Sequence, residues 1–508
     1  MAIPMLFGAG ALVVRPRDPL RFAERVTGLS TLLAALVGGA SAAKVPGGLD
    51  LVAGVVLLLV CALGAVVARY SRAYLSGDPG VHRYARFLLA TLGAVTTLVM
   101  AQNLLVLAVA WTATSLSLHQ LLTFYPDRPA ALVAAHKKFI VSRVADAALF
   151  AAVALIGSVV GSVDLGRVLG WVESHPELPA RLQAAAVLLV VAASLRSAQI
   201  PFHGWLTQVM EAPTPVSAIL HAGVVNLGGF LMIRLSPFMA RAELAQLFLV
   251  VVGTSTAVVA GLVASTRVSV KVALAWSTCA QTGFMLAECG IGAWDLALLH
   301  LVAHSLYKAH AFLSSGERVD AWRASSHGRA LVRPVSFSDL ALGTATAAAL
   351  VLGLSRLSAF TLGEDPTRGP AGLASAVLLV LSLGPLLADG KRLARPPLFL
   401  RLAFRAAGFG AVYLFVHSVA RAHLPPPAEP GLTGALVLSS GFAIQFALQA
   451  VVRARPDGAF ARSVHPLLSS GLWLDERFTR VAFRLWPPHL PAHRPRACPI
   501  TAPEIVEV

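Results

Sequence analysis

Three ionisable residues, His300, His304 and Lys308, recur every four positions within one apolar run. On a helix that spacing puts them on one face, a turn apart. Imidazole titrates at about pH 6.5 and a buried ammonium can release its proton, so the stripe suits a proton relay. A metal site is a second reading, because two histidines at i and i+4 can ligate zinc. The usual zinc pattern places a glutamate beside the first histidine. Here Leu301 follows His300, and no acidic residue stands near to complete a site. Plain hydrogen bonding between helices is the third reading. Arg196, Glu211, His221 and Lys271 are the other ionisable residues that stand out in the apolar runs. Such a group costs roughly 2.5–3.5 kcal/mol at bilayer depth, which makes each a functional candidate. Lys271 begins a run and can instead snorkel. Arg143 and Asp146, three apart, are expected to neutralise one another.

The elements that hold these residues are membrane helices. Of 508 residues, 56% are hydrophobic and 13% charged, and the mean hydropathy is +0.73. Soluble domains carry about 45–50% apolar and about 25% charged residues. A soluble enzyme is therefore excluded, and so is disorder, which needs low hydrophobicity. The net charge of +16 would suggest nucleic acid in a soluble protein. Here Arg and Lys lie between apolar runs, so they orient the chain in a bilayer and no nucleic-acid partner is expected. Cys61, Cys279, Cys289 and Cys498 form no C-x-x-C pair and no zinc spacing, and no cofactor is expected in this chain.

A bilayer core needs about 20 apolar residues per helix. Fourteen such runs lie at about 27–43, 49–68, 86–102, 103–122, 139–162, 182–213, 215–236, 243–264, 270–290, 293–315, 336–356, 371–388, 402–421 and 431–451. The predicted fold is an all-α polytopic membrane protein. A basic segment (1–26) precedes a transmembrane domain (27–452), and a tail (453–508) follows. Met1–Val14 is apolar and reads as an interfacial or re-entrant piece. With fourteen spans the Arg- and Lys-rich loops fall on one side, which places both termini in the cytoplasm by the positive-inside rule. Arg234 and Arg241 are the exceptions.

The run at 182–213 is too long for one straight span and contains Pro201 and Gly204. Proline removes an amide donor and disfavours helix at the residue before it, so a broken helix is expected with freed carbonyls at membrane depth. Arg196 stands just before the break as a fixed charge, and Glu211 is the first acid after it. In the tail, Leu474, Phe478, Val481 and Leu485 recur at helical spacing, which predicts an amphipathic helix lying on lipid or docking a partner.

These residues carry a resemblance. Arg196–Arg234, Lys271–Met285 and His300–Gly316 resemble three motifs of the antiporter-like subunits of respiratory complex I and of multisubunit cation/proton antiporters. That resemblance implies two five-helix repeats in inverted orientation, about 86–236 and 243–388, with broken helices lining a proton path. Carried over by position, His221, Lys271, His300, His304 and Lys308 match polar residues of that path. The chain departs from the pumps at Thr112, where they have Glu, and at Arg196, where they have Lys. The stretch Gly353–Ser358 lacks the Pro-Pro break and Lys of their second broken helix.

Pro201–Phe230 and Phe124–Arg143 are most similar to one branch, the DabB family. The resemblance implies the membrane subunit of an energy-coupled inorganic carbon transporter of the bacterial inner membrane. It would conduct protons or another cation to drive a DabA-type, carbonic-anhydrase-like partner, which would carry the zinc. The alternative is a proton-translocating subunit of a quinone oxidoreductase or antiporter complex. A scaffold that conducts nothing is the third.

Overall fold

The computed structural model describes residues 2–13, 18–43, 49–325, 336–362, 367–392 and 432–487, with residues 365, 404 and 408 singly. Among them the fold is all-helical apart from an isolated bridge between Asn103 and Asp164. The first helices are α1 (Ala2–Val13), α2 (Pro19–Ala42), α3 (Leu51–Tyr74), α4 (Val81–Met100), α5 (Leu104–Leu122), α6 (Pro129–Val160) and α7 (Leu165–Ser174). The middle of the chain forms α8 (Ala180–Arg196), α9 (Gly204–Thr207), α10 (Thr214–Ala222), α11 (Leu227–Arg234), α12 (Ser236–Met239), α13 (Glu243–Ala264), α14 (Val270–Gly290) and α15 (Trp294–Leu313). The last are α16 (Ser315–Ser325), α17 (Phe337–Leu362), α18 (Gly369–Arg392), α19 (Leu432–Ala454), α20 (Ala459–Ser469) and α21 (Glu476–Leu485).

Nine spans among the described residues are long and apolar enough to cross a bilayer, with α10 and α11 taken together as one. Helices α4, α8, α14 and α15, of 17–21 residues, pack among them. The run expected at 402–421 lies almost wholly outside the described residues. Helix α1 is short and buries Ile3, Phe7 and Ala11.

Local chemistry explains the boundaries. Helices α4 and α5 part at Ala101–Asn103, and the Asn103 side chain accepts from the amides of Leu105 and Val106, satisfying two orphan donors of α5. Helices α13 and α14 cross at Gly253 and Gly283. A Cβ on either would lie 2.5–2.7 Å from the other's carbonyl oxygen, so only glycine allows this approach.

The break expected near Pro201 is present: α8 ends at Arg196 and only α9 follows, from Gly204. Its freed groups find partners. The Ser197 carbonyl accepts from Thr282 (3.0 Å) and Gln199 (2.7 Å), and the Ile200 amide donates to Thr256 (3.1 Å). The run at 215–236 is interrupted as well, at Gly223, where the sequence suggests one span. Asn226 donates to the Ala222 carbonyl (3.1 Å) and to Ser305 on α15 (2.8 Å). An amide in the middle of an apolar run was the signal for that second break. By contrast, α17 runs unbroken through Gly353–Ser358.

Arg234 is buried, pairs with Asp50 at 3.1 Å and donates to the Val99 carbonyl. This basic exception to the loop pattern is therefore neutralised locally. At the opposite end of the bundle, Glu24 meets Arg72 (2.6 Å) and the tail docks on the loop before α14 through Arg267, which donates to the Ser469 carbonyl (2.9 Å).

Candidate functional site

Helix α15 presents His300, His304 and Lys308 along one side, and eight residues of helix extend roughly 12 Å at 1.5 Å per residue. Lys308 is fully buried and donates to the Leu274 carbonyl (3.0 Å) and Ser277 Oγ (2.8 Å), both on α14. The same Leu274 carbonyl accepts from Thr278 Oγ1 (2.9 Å). Thr278 Oγ1 also lies 3.1 Å from His221 Nδ1, within hydrogen-bond distance. His221 Nε2 has no hydrogen-bond partner among the described residues. A hydrogen-bonded string thus joins His221, Thr278, Leu274 and Lys308 beside the break at Gly223.

His304 is buried, its ring 6.1 Å from that of His300, and its Nε2 has no partner among the described residues. His300 meets Glu288 of α14, Nδ1 to Oε2 at 2.8 Å. No acid stands near the histidine pair in the sequence, but the fold brings one: the connection between α14 and α15 is tight, so an acid twelve residues earlier returns beside His300. Lys271, at the start of α14, is half-buried and donates to Thr214 Oγ1 (2.9 Å), which reaches Tyr74 Oη (3.3 Å). From Lys271 to Glu288 is roughly 25 Å of helix, most of a bilayer core of about 30 Å. No three His, Cys, Asp or Glu converge to hold a metal among the described residues.

A second cluster surrounds the end of α8. Arg196 is buried, lies over the Trp111 ring at 5.1 Å and donates to the Trp111 carbonyl. The carboxylate it faces is Asp146, 4.0 Å away, which is also paired with Arg143 at 2.6 Å. Glu211, expected as its counter-charge, is instead about half exposed and pairs with Arg128 at 3.2 Å. The break does not fold back far enough to bring Glu211 inward. Lys138 is buried and donates to the Ser115 carbonyl (2.6 Å) and Oγ (2.9 Å). Lys137 is buried too, and the tail supplies its carboxylate, Asp475.

Comparison with known proteins agrees with this geometry. The family described as NADH:quinone oxidoreductase/Mrp antiporter, TM, matches residues 101–336, which hold both clusters apart from Asp475 and Tyr74. The chain is 37% identical to "Probable inorganic carbon transporter subunit DabB" of Hydrogenovibrio crunogenus, over 100% of this chain and 98% of that protein. It is 38% identical to "Probable inorganic carbon transporter subunit DabB2" of Halothiobacillus neapolitanus, over 91% of this chain and 86% of that one. Among solved structures it is similar to the Mrp complex from Dietzia, with 25% identity and a TM-score of 0.55, over 93% of this chain and 52% of that chain.

Proposed function

The chain belongs to the DabB family of inorganic carbon transporter subunits, and from that premise we propose that it is the membrane half of an energy-coupled uptake system for CO2 or bicarbonate. The observation that carries the reading is the match to DabB over the full length, tail included. The chain supplies a path for protons or another cation, and a carbonic-anhydrase-like DabA-type partner holds the zinc and performs the carbon chemistry. The buried string along α14 and α15 supports the proton reading. Its groups are spaced for relay, His221 Nε2 has no partner among the described residues, and His300 meets a carboxylate.

Within the same proposal, fourteen helices span the bacterial inner membrane, two inverted five-helix repeats cover about 86–236 and 243–388, and both termini are cytoplasmic. A reporter fused after Arg455 should be active only in a cytoplasmic form. Activity restricted to the outer side would reverse the orientation. The function itself is tested by co-expression with the partner in cells lacking carbonic anhydrase. Growth in air is expected only when both subunits are present, and growth with the partner alone would remove the role given to this chain.

Glu288 offers a finer check. Glu288→Gln keeps an acceptor for His300 but removes the charge. Uptake is expected to fall about tenfold with unchanged protein level, since the variant removes the ionisable carboxyl that His300 meets in the string. An unchanged initial rate would make the pair structural.

A further inference from the structure

The C-terminal tail does more than lie on the surface. Its helix α21 turns the edge holding Phe478, Thr479 and Ala482 toward the bundle and leaves Val481 and Leu485 exposed. Of the stripe Leu474, Phe478, Val481 and Leu485, Phe478 thus faces the bundle while Val481 and Leu485 stay open. Asp475, just before α21, reaches the fully buried Lys137 on α6 and also accepts from Gln208 (2.7 Å) and Thr479 (3.0 Å). Phe478 packs edge-on against Phe202 at 5.6 Å, and Trp486 stacks on His136 at 4.0 Å. The broken helix is shaped to receive the carboxylate. A Cβ on Gly204 would lie 1.7 Å from Asp475 Oδ1, so any other residue there would evict it.

Beside this contact lies a cavity of about 450 Å3, lined among others by His203, Gln208, Arg267, Trp276, Asp475 and Glu476. His203 belongs to the break. Its ring is wholly buried, and neither of its nitrogens has a well-formed hydrogen bond among the described residues. The other oxygen of the carboxylate, Asp475 Oδ1, has none among the described residues either. Two groups able to carry protons thus share one polar cavity at the tail end of the broken helix, each with an unused site.

We infer that this cavity is a port through which protons pass between the tail-side solution and the path, and that Asp475 is its carboxylate. A proton bound by Asp475 moves to a bare nitrogen of His203. The carboxylate is then ionised again and the ring is cationic until the proton moves on. The family match stops at residue 336, so a residue of this kind belongs to the tail and not to the shared core. The inference rests on the reading that this chain moves protons.

The test is proton flux into liposomes holding the complex of this chain with its partner, read by a pH-sensitive dye, alongside bicarbonate uptake by the same preparation. Asp475→Asn keeps the acceptor for Lys137 and Gln208 and removes the proton-binding group. Gly204→Ala keeps the charge but displaces it. Both are expected to reduce proton flux about tenfold or more at wild-type amounts of assembled complex. The double variant Lys137→Gln with Asp475→Asn is expected to stay at the low rate. Full flux in either single variant overturns the inference. So does recovery in the double variant, because Asp475 would then serve only to neutralise Lys137. A wild-type complex with no proton flux overturns it too. A wild-type complex that takes up no bicarbonate, yet loses its proton flux in Asp475→Asn, leaves the port standing and removes the carbon-transport reading instead.

Discussion

His304→Ala is expected to reach the membrane at wild-type level and to take up inorganic carbon roughly 100-fold more slowly or worse, the range for removal of a positioned proton carrier. The expectation separates function from folding because His304 Nε2 makes no hydrogen bond among the described residues and its ring meets His300 at 6.1 Å. Losing it strands no donor or acceptor, so the folding cost is confined to a small cavity. Lys308→Ala is a poorer probe. It removes two hydrogen bonds from a charged group, worth about 1.5–3 kcal/mol each, so lost activity would be mixed with lost protein. Membrane-fraction immunoblots and initial uptake rates decide the matter. Normal uptake in His304→Ala would reduce the stripe on α15 to packing.

The second large effect is at Arg196. Arg196→Ala should abolish uptake, while Arg196→Lys should retain part of it. Lysine keeps the charge facing Asp146, but it cannot reproduce the planar guanidinium stacked over Trp111. Breaking a buried ion pair by removing one partner usually costs about 3–5 kcal/mol because a bare charge is left behind. Here Asp146 retains Arg143 at 2.6 Å, so the alanine variant should still accumulate. Uptake measured over a range of external pH is the test, and wild-type rates in Arg196→Ala at every pH would leave this charge no part in coupling.

Much of the frame was legible in the sequence because its signals are local. Hydropathy marks a span within its own twenty residues, Asn103 caps its own helix, and Pro201 breaks its own chain. The i, i+4 spacing of His300, His304 and Lys308 carries over directly to a shared helix side. The partnerships were not legible, because they join distant residues. Arg196 meets Asp146, fifty positions away, and not Glu211, which is closer in sequence. Glu288 reaches His300 across a tight helical turn. Asp475 reaches Lys137 only because the tail returns to the broken helix, 338 positions along the chain. Lys137 and Lys138 looked like loop charges since α6 begins at Pro129, ten residues before the apolar run that marks it.

The central claim is that this chain draws on a cation gradient to power carbon uptake by a partner. The direct measurement is the initial rate of labelled bicarbonate uptake in cells lacking carbonic anhydrase, with both subunits or either alone, before and after a protonophore. Uptake that needs both subunits and collapses with the protonophore is the predicted result. Uptake by the partner alone at the same rate, or uptake indifferent to the protonophore and to every imposed ion gradient, would contradict it.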